Sequence, residues 1–388
     1  MAVNSMIIMN LKLNNVLSFY DFSINFSYKT KLRSTLIDNE WLTKIPSFRY
    51  KKLNIFMGSN ATGKTSLVKC IWSILLFFKD KNKNDIVEIF NTKYETSDIE
   101  IDLVESNKGN KILHRFKIKS NNQEVGIGIK ISHTFMQISS TPSSKDSYET
   151  IVKKLDLIPD DFVDYIDALN DCNLDIGWNI LLPATEKEFN EVMYIKGNNE
   201  KEENIYLDIL NMVFKTLDPS IINVSKSKDA NNAYVFEHES VGKIIIQDGM
   251  QVQAIPHLSS GTKYGINISN MLFSIKFHRN GIYLIDEQFS YVNSDIEAAI
   301  LSTMVSMLGN DEQIFFTTHN TDILSLRFPF HSFYFMKKPY NLEKKRNEIR
   351  VVCASEVENR NNVSAKRIID NDIFQTAPNT NDIFKLGE

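Results

Sequence analysis

Cysteine is scarce in this chain. Cys70, Cys172 and Cys353 are the only three in 388 residues, an odd number set far apart. That argues against a disulfide-stapled fold, suits a reducing compartment and offers no metal-ligand spacing along the sequence. Long apolar runs are missing too. The most apolar-rich stretch, Cys70 to Phe78, falls far short of the roughly 20 residues that cross a bilayer. The N-terminal residues Met1 to Met9 are not followed by an apolar stretch of signal-peptide length. A cytoplasmic protein with no membrane partner is therefore expected. No charge sign dominates: 44 Lys and Arg stand against 48 Asp and Glu, a formal net charge of -4. Bulk electrostatics thus make no case for nucleic acid, although a local patch stays open. There is no internal repeat, and no heptad run is long enough for an extended coiled-coil arm.

What is present is enough apolar material, 43% of residues, for one large domain with an insertion or two modest ones. Residues 6–27 alternate apolar and polar positions and read as two antiparallel strands joined near Leu17 to Asp21. Lys52 to Met57 reads as a short strand that runs into a glycine-bearing loop and then an apolar helix, Thr65 to Phe78. Strand patterns continue over 86–140, and Ser139 to Asp146 has the composition of a boundary. From 147 to 217 the apolar period turns helical: Ile151, Leu155, Phe162, Tyr165, Ile166 and Leu169 recur at helix-like spacing, and so do Ile205, Leu207, Ile209, Leu210 and Val213. Strands return over 221–254. The expected division is an N-terminal part at 1–146, a small helical insertion at 147–217, a C-terminal part at 218–340 and a tail at 341–388.

Four motifs carry chemistry. Gly58-Ser59-Asn60-Ala61-Thr62-Gly63-Lys64-Thr65, followed by Ser66, fits the phosphate loop G-x-x-x-x-G-K-[ST] in full, with a strand before it and a helix after. Its glycines let backbone amides turn inward on phosphates, and the helix adds the positive end of its dipole. Lys64 is expected to hold the β- and γ-phosphates of ATP and Thr65 to ligate Mg²⁺. The apolar run Gly281 to Ile285 ends in Asp286 and Glu287. A buried strand tip delivering Asp286 suits a second magnesium ligand, and Glu287 suits the general base that activates water. Leu258-Ser259-Ser260-Gly261 precedes an apolar helix, Tyr264 to Phe277, and forms a second anion site of hydroxyl, free amides and dipole. Finally, the apolar strand Gln313 to Thr318 ends at His319, an imidazole placed to report the γ-phosphate. Each element alone has a bland reading, as a chance turn, a strand end, a Ser cap or a structural His. Their order along the chain is the specific signal.

In that order the motifs resemble the ABC-class ATPases, and more narrowly the soluble SMC-like group that includes RecF, the OLD-family proteins and many anti-phage ATPases. The resemblance frames most of residues 6–335. It implies an α/β fold of the ABC ATPase-head type: a mixed sheet around the phosphate-loop core, an antiparallel β subdomain and here a small helical insertion. It also implies a head-to-tail homodimer, open to higher assembly, in which Ser259 and Gly261 of one subunit cap ATP held by the phosphate loop of the other. ATP hydrolysis to ADP and phosphate would then loosen the dimer. Three features depart from the group. Gln123 and Gln137 are the only glutamines between Thr65 and the helical segment to serve as the Q-loop residue. The first loop, Asn15 to Phe19, lacks a basic residue. The segment Gln288 to Asp295, at the dimer-contacting D-loop position, lacks the His-Pro common in relatives.

No second catalytic constellation is visible. Too little chain follows His319 for a nuclease domain of roughly 100 residues or more, and Asp370, Asp372 and Asp382 lie in a polar tail. The preferred expectation is a defence-type ATPase that holds or releases a separate effector protein such as a nuclease. The alternative is a RecF-like DNA-binding repair ATPase, with Lys337-Lys338, Lys344-Lys345-Arg346 and Lys79, Lys81 and Lys83 meeting phosphates. Against it, such runs are more often solvated loops. A transporter subunit is a third and weaker reading.

Overall fold

A computed structural model describes residues 5–29, 37–107, 110–123, 126–139, 145–172, 174, 178–181, 199–230, 233–247, 250–251, 264–289 and 292–357. Its centre is a six-stranded sheet in the order Trp178–Leu181, Ile282–Asp286, Gln313–Thr318, Leu53–Met57, Phe333–Lys337 and Arg350–Cys353. The first five strands run parallel and only the last is antiparallel. Parallel strands covered on both faces read as unbroken apolar runs, and every residue of Leu53–Met57, Ile282–Asp286 and Gln313–Thr318 is buried.

Because strand side chains alternate, these three strands feed two cores. Ile55, Tyr283, Ile285, Ile314 and Phe316 face a core shared with the helices Glu200–Leu217, Gly265–Lys276 and Ser294–Met307. Phe56, Ile282, Leu284 and Phe315 face the other, shared with the helix Lys64–Asp80 and the N-terminal sheet. That second sheet is antiparallel throughout, in the order Phe22–Asn25, Ser5–Asn14, Thr96–Asn107, Asn110–Gln123, Gly126–Gln137 and Val163–Asp164. The strand pair expected at the N-terminus is there, with Leu11 opposite Ile24. A third, four-stranded antiparallel sheet occupies Ile221 to Gln251. The fold is thus the α/β ATPase head with an antiparallel β subdomain that the motif order implies.

The stretch 147–217 holds the helices Tyr148–Leu155, Tyr165–Asp171 and Glu200–Leu217, each near a predicted apolar stripe. It also holds the four-residue strand Trp178–Leu181, which lies beside Ile282–Asp286 as an edge of the central sheet. Four residues are too few to show strand alternation between helices. A buried network ties this stretch back to the N-terminal sheet. Arg115 donates to both oxygens of Asp102 at 2.7 and 2.8 Å, and the Tyr148 hydroxyl donates to the same carboxylate at 2.6 Å. Among the described residues, no helix is long and apolar enough to cross a membrane.

Candidate functional site

The parallel strands end level with one another. Asp286 pairs with Thr317, and Thr318 pairs with Met57. The next residues along the three strands, Glu287, His319 and Gly58, therefore emerge together at the carboxyl edge of the sheet, where open α/β folds bind ligands.

From Met57 the chain turns through the phosphate loop into the helix Lys64–Asp80. Two glycines permit the path. A Cβ on Gly58 would collide with the Met336 carbonyl, and Gly63 has a φ of 101°, with Ile349 against the position its Cβ would occupy. Lys64 is 3% exposed, and its ammonium donates to the carbonyls of Gly58 and Ser59 at 3.0 and 3.2 Å. Burial lowers its pKa, and the Glu287 carboxylate opposes that shift. The Thr62 hydroxyl closes the loop onto the Ser59 carbonyl at 2.8 Å. Asn60, Ala61, Gly63, Lys64, Thr65 and Ser66 line a cleft of about 410 Å³, a size suited to a small-molecule ligand, and Glu287 and His319 line it with them.

Asp286 is fully buried at the strand tip. Its Oδ1 accepts from the Thr317 hydroxyl and, at 3.4 Å, from Thr65 Oγ1. Its Oδ2 is buried with no hydrogen-bond partner among the described residues. Burial raises its pKa, while the two threonine hydroxyls pull it down. An uncommitted carboxylate oxygen beside a threonine hydroxyl fits Mg²⁺, a hard cation that takes oxygen ligands.

Glu287 adopts the left-handed backbone region, φ 48°, and its amide donates to the Thr317 hydroxyl at 3.1 Å. This kink at the strand end turns its carboxylate back over the loop. There Oε1 lies 2.8 Å from His319 Nε2 and 3.4 Å from Lys64 Nζ. The other ring nitrogen, Nδ1, lies 3.1 Å from the Gly58 carbonyl. Lys64, Asp286, Glu287 and His319, read from three separate motifs, thus converge with Thr65. The predicted capping residues Ser259 and Gly261 fall outside the described residues. The helix that follows them, Gly265–Lys276, matches the expected one, and the ring of Phe214 packs directly against Gly265.

Several contributors escape the sequence. Glu297, on the helix Ser294–Met307, is 4% exposed and accepts from Thr318 Oγ1 at 2.7 Å and from Asn320 Nδ2 at 2.8 Å. It brackets His319 from both sides, and burial raises its pKa. Ser18, from the first loop that lacks a basic residue, borders the cleft, and so does Lys338. Lys338, read earlier as part of a basic run, thus puts a cation at the cleft. The neighbouring basic residues are engaged elsewhere: Lys344 with Asp21 at 2.9 Å, and Arg346 with Glu348 at 3.1 Å and stacked 3.8 Å above the Tyr20 ring. Gln123 and Gln137 end strands of the antiparallel sheet.

Residues 53–325 match the family model described as "AAA domain, putative AbiEii toxin, Type IV TA system". No curated protein matches the chain. Among solved structures, an SMC head bound to the C-terminal winged-helix domain of ScpA is 12% identical, with 91% of this chain and 99% of that one covered at a TM-score of 0.49. The SMC head domain from Thermotoga maritima is 11% identical, covering 89% and 98% at a TM-score of 0.43. The recombination mediator RecF is 12% identical, covering 82% and 94% at a TM-score of 0.37. The family match spans most of the chain, and the motif residues converge at one sheet edge. Over most of its length the chain therefore belongs to the family described as "AAA domain, putative AbiEii toxin, Type IV TA system", and it is an ATPase.

Proposed function

We propose that this ATPase closes into a head-to-tail homodimer around ATP and uses hydrolysis to release it, governing a separate effector protein in anti-phage defence. The observation that carries the reading is the meeting of Lys64, Glu287 and His319 within 3.4 Å contacts at the mouth of the phosphate loop. Such a cluster suits a γ-phosphate held by Lys64, an attacking water that gives its proton to Glu287, and an imidazole that registers the phosphate. The amides of residues 58 to 66 would cradle the remaining phosphates. Thr65 and Asp286 would hold Mg²⁺, which neutralises charge on the phosphate oxygens when bound.

The remaining wall of the site is Ser259 and Gly261 of a second copy, at the entry to the helix Gly265–Lys276. A hydroxyl and helix-terminal amides from a partner bind tightly only while the γ-phosphate is present, so its loss opens the dimer. Boundaries near 146, 217 and 340 suit an ATPase head in which 147–217 offers a docking surface for an effector. The family's description by a toxin of type IV toxin–antitoxin systems supports a defence role.

The test is affinity purification of the tagged protein from its native host with Glu287→Gln holding ATP. A stoichiometric protein partner that leaves on ATP removal is expected. Recovery of the ATPase alone, or of nucleic acid alone, contradicts the effector reading.

A further inference from the structure

Away from the nucleotide cleft, three side chains from three elements point at one another. His114 lies on the strand Asn110–Gln123 and His133 on the neighbouring strand Gly126–Gln137. In the ladder His114 faces Phe135 and Phe116 faces His133, so the two histidines are diagonal neighbours on one face of the sheet. Cys172 directly follows the helix Tyr165–Asp171, which packs over that face. His114 Nδ1 lies 3.0 Å from His133 Nε2, and Cys172 Sγ lies 3.8 Å from the same nitrogen. All three atoms fall within 4.8 Å of one another.

These separations suit a shared metal ion. Nitrogen and sulfur ligands about 2.0 and 2.3 Å from a tetrahedral zinc stand roughly 3.3 to 3.6 Å apart. The two separations to His133 Nε2 straddle that range, and the whole set lies within 4.8 Å, so a shift of up to about 1 Å in the Cys172 side chain would bring the three onto one ion. The surroundings suit one too. His114 Nε2, the nitrogen turned away from the cluster, is buried, lacks a well-aligned hydrogen bond and lies 3.4 Å from Glu105 Oε2. A carboxylate behind a metal-bound histidine is the usual second-layer arrangement, fixing its tautomer and ring orientation. Phe116 stacks on His133, with ring centroids 4.3 Å apart and planes 7° apart, which holds that ring in place.

We propose that His114, through Nδ1, His133, through Nε2, and Cys172, as thiolate, bind one zinc ion that fastens the helix Tyr165–Asp171 to the antiparallel sheet, with Glu105 orienting His114. Two imidazoles and a thiolate favour a borderline-soft ion over Mg²⁺, so this site and the oxygen-rich nucleotide site select different metals. Binding releases the Cys172 proton to solvent. Water completes the fourth position beside Phe135, which is 61% exposed. The site is independent of the ATPase reading.

The experiment is cobalt titration of the full-length protein after chelator treatment, with zinc content measured on the untreated protein. The expected result is about one zinc per chain and, with cobalt, the intense visible bands of a four-coordinate ion plus a thiolate charge-transfer band. Cys172→Ser removes the charge-transfer band. Glu105→Gln keeps the spectrum and weakens affinity about 10- to 100-fold. Circular dichroism confirms that both variants fold. Wild-type protein that holds no stoichiometric zinc and gives only the weak spectrum of octahedral cobalt overturns the proposal. A charge-transfer band that survives in Cys172→Ser overturns it equally.

Discussion

Glu287 Oε1 sits 2.8 Å from His319 Nε2, and the two residues come from adjacent parallel strands that end level at the mouth of the phosphate loop. In the proposed mechanism this carboxylate and imidazole flank the water that attacks a γ-phosphate. Glu287→Gln keeps the shape and removes the base. ATP binding is expected to persist while kcat falls about 10²- to 10⁴-fold, the usual contribution of a positioned base. Steady-state phosphate release alongside nucleotide-binding titration checks it. Hydrolysis at the wild-type rate would remove Glu287 from the base role.

Lys338 lines the cleft together with Ser18 and Lys64. At a partly exposed site its attraction for a phosphate is worth about 0.2–1 kcal/mol. Lys338→Ala is therefore expected to weaken ATP binding by about 1.4- to 5-fold with little effect on kcat, and the loss shrinks as salt is raised. Titration with a fluorescent ATP analogue at two ionic strengths reads both effects.

Asp286 is a buried carboxyl whose pKa burial raises. A group whose folded pKa exceeds its unfolded value contributes stability that is fully present below the unfolded pKa and is lost as pH rises through the folded one. At neutral pH the ionised carboxylate thus destabilises the nucleotide-free protein. Asp286→Asn is expected to melt higher than wild type at pH 7 and to lose that advantage as pH falls into the ordinary carboxyl range near about 4. The same variant loses magnesium-dependent hydrolysis, a trade of stability for function. Thermal melts across pH test the first claim.

Asp102 is fully buried and accepts from Arg115 twice and from Tyr148 once. Arg115 keeps Asp156 and Glu100 as partners, so removing the Asp102 charge costs its charged hydrogen bonds, at about 1.5–3 kcal/mol, rather than stranding a charge. Asp102→Asn should lower the unfolding free energy by that order in denaturant melts. A loss under about 1 kcal/mol would mean the network is water-exposed in solution.

The phosphate loop, the Asp286–Glu287 strand tip and the paired N-terminal strands were legible because each is a local pattern: fixed spacing, an apolar run or strict alternation. Glu297, Thr317 and Lys338 were not. Glu297 reads as an ordinary acidic residue in the first turn of the helix Ser294–Met307, and only the fold brings it to Thr318 and Asn320. The edge strand Trp178–Leu181 is too short for its period to show among helices. His114, His133 and Cys172 carry no common spacing, since sheet register and one helix end bring them together. Contacts between distant elements follow from topology, which linear pattern leaves open.

The central claim is that each ATP lies between Lys64 of one subunit and Ser259 of the other. Lys64→Ala and Ser259→Arg should each abolish hydrolysis alone. A mixed dimer of the two carries one site with both residues intact. Random exchange would therefore restore roughly a quarter of wild-type activity, because half the dimers are mixed and each keeps one site of two. Phosphate release from the equimolar mixture is the deciding measurement. Recovery near that level is the predicted result; a mixture as inactive as its parents, or full activity in Ser259→Arg alone, contradicts the shared site.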